Sequence, residues 1–260
     1  MEVNKMFKEL YKYREFLKTS ILKEFRGKYK KSFLGVLWSF INPLLQLLIY
    51  SVVFSFIMKS DIENYTVFLV VALIPWTFFS TTLIQSTNAI VINGGILKKV
   101  YFPREILPIS IVTSNLLNFL ISFLIILGAL LISGVGISPY ILLFPVILII
   151  QYILSIGFAF ILSSITVYIR DLEYFINILM MLWFYLNPIV YSIDLIPSKL
   201  MPIFQLNPML YVINAYRDVL YYQQLPNMKM LGFLFVFSTI FCFAGYHIFK
   251  KLEKRFVEEL

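Results

Sequence analysis

Six long apolar stretches, residues 33–58, 65–92, 106–133, 140–169, 174–193 and 230–249, contain no acidic, lysine or arginine side chain. Arg170 comes nearest, at the edge of the loop after the fourth. A helix crosses the roughly 30 Å hydrocarbon core of a bilayer in about 20 mostly apolar residues, and each stretch is long enough to do so. In soluble domains about a quarter of residues are charged; here the share is 14%, with 60% hydrophobic residues. The expected fold is an all-α integral membrane protein of six transmembrane helices. It forms a single transmembrane domain over residues 1–260, with an amphipathic segment at 1–31, the bundle at 33–250 and a tail at 251–260.

Six crossings place both termini on one side. With the termini inside, every Lys and Arg is inside except Lys59, Lys199, Arg217 and Lys229, so the positive-inside rule predicts cytoplasmic termini. The net charge of +8 then reports topology and anionic lipid rather than nucleic acid. Ten basic residues within the first 31, with no short apolar core and cleavage site after them, argue against a secretory signal. One Cys, Cys242, and one His, His247, support neither a disulfide nor a metal site. His247 reads as an interfacial or packing residue.

Within 5–26, Met6, Leu10, Tyr13, Leu17 and Ile21 recur at helical spacing, with Lys5, Lys8, Lys12, Lys18 and Lys23 mostly elsewhere. This predicts an amphipathic helix on the inner leaflet, ended by Gly27, with Ser32 capping the first span. Pro43, Pro75, Pro145 and Pro188 are expected to kink the spans that hold them. The external segment 192–228 is too apolar for a solvated loop. Its NPMLYVINAYRDVLYY run suits a helix capped by Asn207 with Pro208 at the first position. Two short helices dipping back into the outer leaflet fit best; a helix lying flat on the surface is the alternative.

Missing buried charge counts against an ion-coupled transporter or pump. No GxxxxGK[ST] phosphate loop occurs either, so any ATPase belongs to another chain. Few acids remain for catalysis, and Arg104-Glu105, Arg170-Asp171 and Arg217-Asp218 read as local salt bridges. Attention then falls on GGILKKVYFPREILP, residues 94–108, placed in the cytoplasm by this topology. It is either a surface that accepts a push from a partner, or a basic loop whose lysines and Arg104 snorkel to lipid while Tyr101 and Phe102 sit in the interfacial belt. On the residues alone the two readings stand level.

RGKYKKSFLGVLWSFINPL (26–44), KKVYFPREILP after the second span, RDLEYF after the fourth, WFYLNPIVY in the fifth and NPMLYVINAYRDVLY before the sixth together resemble the membrane permeases of ABC-type polysaccharide exporters. They match the O-antigen and teichoic-acid branch, in order, over nearly the whole chain. The resemblance implies a homodimer in the bacterial cytoplasmic membrane. Each subunit binds a cytoplasmic nucleotide-binding ATPase, two copies in all, which carry ATP and Mg. This chain itself holds no cofactor and is not an enzyme. The implied substrate is an undecaprenyl-linked glycan moved to the outer face. A small-drug exporter of the same architecture, and a membrane assembly factor or lipid-modifying enzyme, are the alternatives.

By the same resemblance, residues 5–26 are the interface helix, and Ile96, Leu97, Lys98, Lys99, Val100, Tyr101, Phe102, Pro103 and Arg104 form a coupling helix that Gly94 and Gly95 enter and Pro103 ends. Residues 194–224 become external gate helices holding Arg217 and Asp218. Tyr50, Phe54, Trp183, Phe184, Tyr185 and Tyr191, on the first and fifth spans, become candidates for the pathway, since aromatic faces suit sugar rings.

Overall fold

A computed structural model describes residues 8–30, 32–57 and 62–260; Lys5, Met6 and Lys59 lie outside the described residues. All regular structure among the described residues is helical. Helix α1, Arg14–Gly27, follows a helical stretch over 8–12 and ends at Gly27 as expected. Ser32 caps nothing: its hydroxyl accepts a hydrogen bond from Trp38 Nε1 at 3.1 Å. The first span opens instead on a tight turn, Gly35–Leu37, with Gly35 at φ +52°, a left-handed conformation that favours glycine. Helix α2, Trp38–Ser51, then carries Pro43 and passes into a wide turn, Val52–Ile57.

Helix α3, Tyr65–Thr87, is apolar on all sides and buried on nearly all of them, as the central strut of a membrane bundle must be. Two short helices follow, α4 at Ala89–Ile92 and α5 at Gly94–Leu97. The third and fourth spans are α6, Ile106–Ile132, and α7, Phe144–Thr166. Pro145 does not kink the fourth span but stands in its first turn, where a missing N–H costs nothing. Gln151 of α7 is fully buried and donates to the Pro75 carbonyl at 2.8 Å.

The fifth apolar stretch forms only α8, Leu172–Tyr185, 14 residues or about 21 Å of helix, short of the hydrocarbon thickness. Asn187-Pro188 ends it rather than kinking it, because the residue before a proline is driven out of the helical region. Irregular backbone at this depth needs protein partners, and it has them. Asn207 donates to the Leu186 carbonyl, Arg217 to Ile189 and the Tyr65 hydroxyl to Val190. Among the described residues, therefore, five helical segments are long and apolar enough to cross a membrane, and α8 is a shorter sixth.

Asn207 does cap the helix that Pro208 opens, accepting from Met209 N at 3.0 Å. After α9, Met201–Gln205, this is α10, Pro208–Leu220, sunk deeply enough that the Tyr216 hydroxyl donates to Gln151 at 3.0 Å. The last span, α11, Met228–Leu252, crosses α7 closely. A Cβ on Gly245 would lie 2.5 Å from the Gly157 carbonyl oxygen, so this crossing requires glycine. A final turn, α12, Phe256–Glu259, folds back beneath the bundle.

Contacts sort the loops into two ends. Lys23 meets Asn93, Phe16 meets Phe102, Arg104 meets Glu253, and Tyr168 meets Leu252. That end carries the N-terminal helix and the C-terminal tail together. At the opposite end Tyr221 meets Glu63 and Gln223 meets Val135.

Candidate functional site

Residues 96–104 do not form one helix. Helix α5 begins at Gly94 and ends at Leu97, a turn carries on to Lys99, and 100–103 has no regular structure. Phe102 precedes a proline, which disfavours a helical conformation at that residue. Pro103 stops no helix: its carbonyl accepts from Ile106 N at 3.1 Å and so leads into α6. Gly94 is buried in the first turn of α5, where a Cβ would make only an ordinary contact with the Leu260 side chain at 3.4 Å.

The segment splits by orientation. Ile96, Lys98, Lys99, Val100 and Tyr101 face outward, Tyr101 at 84% exposure. Leu97 and Phe102 turn inward, Phe102 at 4%, with its ring 4.7 Å from that of Phe16. Arg104 donates to the Glu253 carbonyl and lies 5.8 Å from the Phe256 ring. Rather than pairing with its neighbour, Glu105 is buried at 1% exposure against Lys250, which also binds Glu253 at 3.1 Å. The C-terminal segment is thus a brace for the loop: Phe256 is fully buried beside Phe249. Sequence reasoning treated it as a tail. The usable signal was Lys250 three residues before Glu253 on a helical face, followed by an aromatic residue.

The six pathway aromatics separate likewise. Tyr50 stacks on Phe184 at 5.5 Å, Phe184 meets Tyr185 edge-on at 5.1 Å, and all three line an open cavity of about 420 Å³ between α2, α3 and α8. Gln46, Thr77, Ser80 and Asn177 add polar groups to it. Trp183 belongs elsewhere: it packs edge-on against Phe79 at 5.3 Å and donates through Nε1 to Asn207 at 3.0 Å. Phe54 stacks on Tyr65, and the Tyr191 hydroxyl donates to the Tyr185 carbonyl at 2.6 Å.

Arg217 and Asp218 also take separate partners. Asp218 accepts from Gln224 at 2.6 Å, and burial raises its pKa. Arg217, 2% exposed, donates to the Ile189 carbonyl at 2.8 Å and lies over the Phe68 ring at 3.5 Å. Burial pulls its pKa down to about 9. It ties α10 to the irregular segment and to α3. No group of three or more His, Cys, Asp or Glu among the described residues is placed to hold a metal ion.

The described residues thus form a helical bundle of membrane-spanning character, with an aromatic, hydroxyl-lined face and, at one end, a braced loop presenting basic and aromatic side chains. The chain belongs to the ABC-2 type transporter family, which it matches over residues 15–221. It is 34% identical over 258 residues to the O-antigen export system permease protein RfbA of Myxococcus xanthus, covering 98% of this chain and 99% of that one. A Klebsiella pneumoniae protein of the same description is 37% identical over 239 residues, 92% of each chain. The polysialic acid transport protein KpsM of Escherichia coli is 25% identical over 240 residues, 90% of this chain and 92% of that one.

Proposed function

We propose that this protein is the transmembrane subunit of an ATP-driven exporter of lipid-linked polysaccharide in the bacterial cytoplasmic membrane, with both termini cytoplasmic. The carrying observation is near full-length similarity to permeases described for two different polysaccharides, O-antigen and polysialic acid. Two copies form the conduit, and each binds a nucleotide-binding subunit that holds ATP and Mg. Lys98, Lys99, Val100 and Tyr101, with Ile96, meet that subunit. Leu97, Phe102 and Arg104 fasten the loop to the bundle, so that a push on the exposed side chains reaches α6 and α11.

The undecaprenyl-linked glycan passes along the face of Tyr50, Phe184 and Tyr185, whose rings stack on sugar C–H groups. The short helices α9 and α10 gate its outer exit, and Arg217 fixes their position. Depletion of the protein should make a lipid-linked glycan accumulate on the cytoplasmic side, and an ATPase should co-purify with the chain. Normal surface glycan after depletion, or resistance phenotypes alone, would overturn the reading.

A further inference from the structure

Closer to the end that carries both termini, along the same face of α2, lies a second cavity of about 460 Å³ between α2, α3 and α6. It shares Thr77 and Thr81 with the aromatic face. Among the described residues, Lys28 is its one charged lining residue. The ammonium donates to Asn115 Oδ1 at 2.6 Å and faces no carboxylate in the lining. Burial lowers its pKa to about 8, against the opposing pull of Glu24 one turn earlier. A desolvated cation in a polar cavity without an acid is set to receive an anion.

The rest of the polar lining is neutral. Asn115 donates to Gln85 Oε1 at 3.0 Å, and the Tyr29 hydroxyl donates to Asn118 Oδ1 at 2.7 Å. These bonds use the amide oxygens of Gln85, Asn115 and Asn118. No described residue accepts from the side-chain N–H groups of Gln85 and Asn118, and the side chain of Asn42, exposed on the cavity wall, makes no hydrogen bond with a described residue. Trp38 and Phe119 supply flat apolar rings beside them. Free amide donors and aromatic faces around a single cation match a sugar ring carrying a phosphate, and the volume suits one such unit rather than a chain. Polar groups at this depth are costly to keep unless they bind something.

We propose that this cavity binds the glycosyl-phosphate end of the lipid-linked glycan. Lys28 takes the phosphate, and Asn42 and Asn118 take hydroxyls of the first sugar. The inference rests on the export reading above and adds the point at which the lipid-linked end is recognised. Bound here, that end adjoins the aromatic face along which the chain would move.

The test is equilibrium binding of two radiolabelled short-chain probes, farnesyl diphosphate bearing one N-acetylhexosamine and farnesyl diphosphate alone. The full-length chain, with its co-purifying ATPase, is placed in phosphatidylcholine nanodiscs with or without phosphatidylglycerol. Lys28→Gln should weaken both probes about tenfold, the loss expected for a hydrogen bond to a charged group. Asn42→Ala should weaken only the sugar-bearing probe by a similar factor. Because the Asn42 side chain bonds to no described residue, its removal takes no hydrogen bond from the fold. Wild-type binding by both variants overturns the assignment, as does displacement of the sugar-bearing probe by phosphatidylglycerol, which would make the cavity a phospholipid headgroup site. If depletion makes glycan accumulate while these variants bind normally, the cavity fails and the export reading stands. If no glycan accumulates, the export reading itself fails.

Discussion

At the end that carries both termini, Lys250 sits between the carboxylates of Glu105 and Glu253, whereas at the opposite end Arg217 has a backbone carbonyl and the Phe68 ring. Both arrangements fix a cation against the bundle by different means, Lys250 half-buried and Arg217 fully buried. The carboxylate cluster joins three segments, the loop before α6, the end of α11 and the tail, through charges that depend on one another. Arg217 is fixed by shape, and nothing around it leaves an orphaned opposite charge on removal. The terminal end should therefore be the more fragile to single substitutions. Glu105→Ala tests this most severely: breaking a buried pair from one side costs about 3 kcal/mol, read as a fall in thermal unfolding temperature of the purified chain. Adding Lys250→Met should restore more than half of the loss, and strict additivity of the two changes would show that the pair is not coupled.

Two adjacent residues sharpen the contrast within the loop. Phe102→Ala removes a buried ring and should cost roughly 3 kcal/mol. Tyr101→Ala removes an exposed one and should change stability by no more than about 0.5 kcal/mol, yet it should lower ATP-driven export or recovery of the ATPase. If the effects were exchanged, the division into brace and contact surface would be wrong.

Lys28 is a third case, a half-buried cation that donates to an amide oxygen, with the Glu24 carboxylate one turn earlier. Its folded pKa of about 8 lies below the usual lysine value, so between about pH 8 and pH 10.5 the unfolded chain binds more protons. Stability should rise with pH across that window, by roughly 2 kcal/mol once the remaining water contact is discounted. Lys28→Met should lack this rise in a series of melting curves. A matching rise in the variant would assign the effect to other groups.

The spans were legible because a 20-residue apolar run has few other solutions, and Asn207-Pro208 was legible because a cap and a first-turn proline act locally. Gly27 was legible for the same reason. The fifth span was not, since apolar composition cannot reveal that Pro188 stops the helix while Tyr65 and Arg217 satisfy the released backbone. Nor was the direction of Phe102 or Trp183. Aromatic residues look alike in sequence, and only the packing of Phe16, Phe79 and Phe158 turns these rings inward. Charged neighbours misled in a consistent way. Arg104 and Glu105, like Arg217 and Asp218, are adjacent on helical or near-helical backbone, where consecutive side chains diverge and find remote partners.

Among the buried side chains, the smallest effect belongs to Arg217. Replacing it by Met keeps the length and most of the contact with Phe68 and removes a costly buried charge, which favours the variant. Against that stand the lost bond to Ile189, which leaves a buried carbonyl, and the lost cation–π attraction, each about 1 to 2 kcal/mol. These terms oppose one another, and Nε of Arg217 has no partner to lose. A net cost of about 1 kcal/mol is expected, well below that of Glu105→Ala, in the same unfolding assay. Export should fall by more than this stability change explains, because the irregular segment 186–192 loses a tie to α10, the proposed gate of the exit. An Arg217→Met variant as unstable as Glu105→Ala would mean that a carbonyl and a ring hold a buried charge as firmly as two carboxylates.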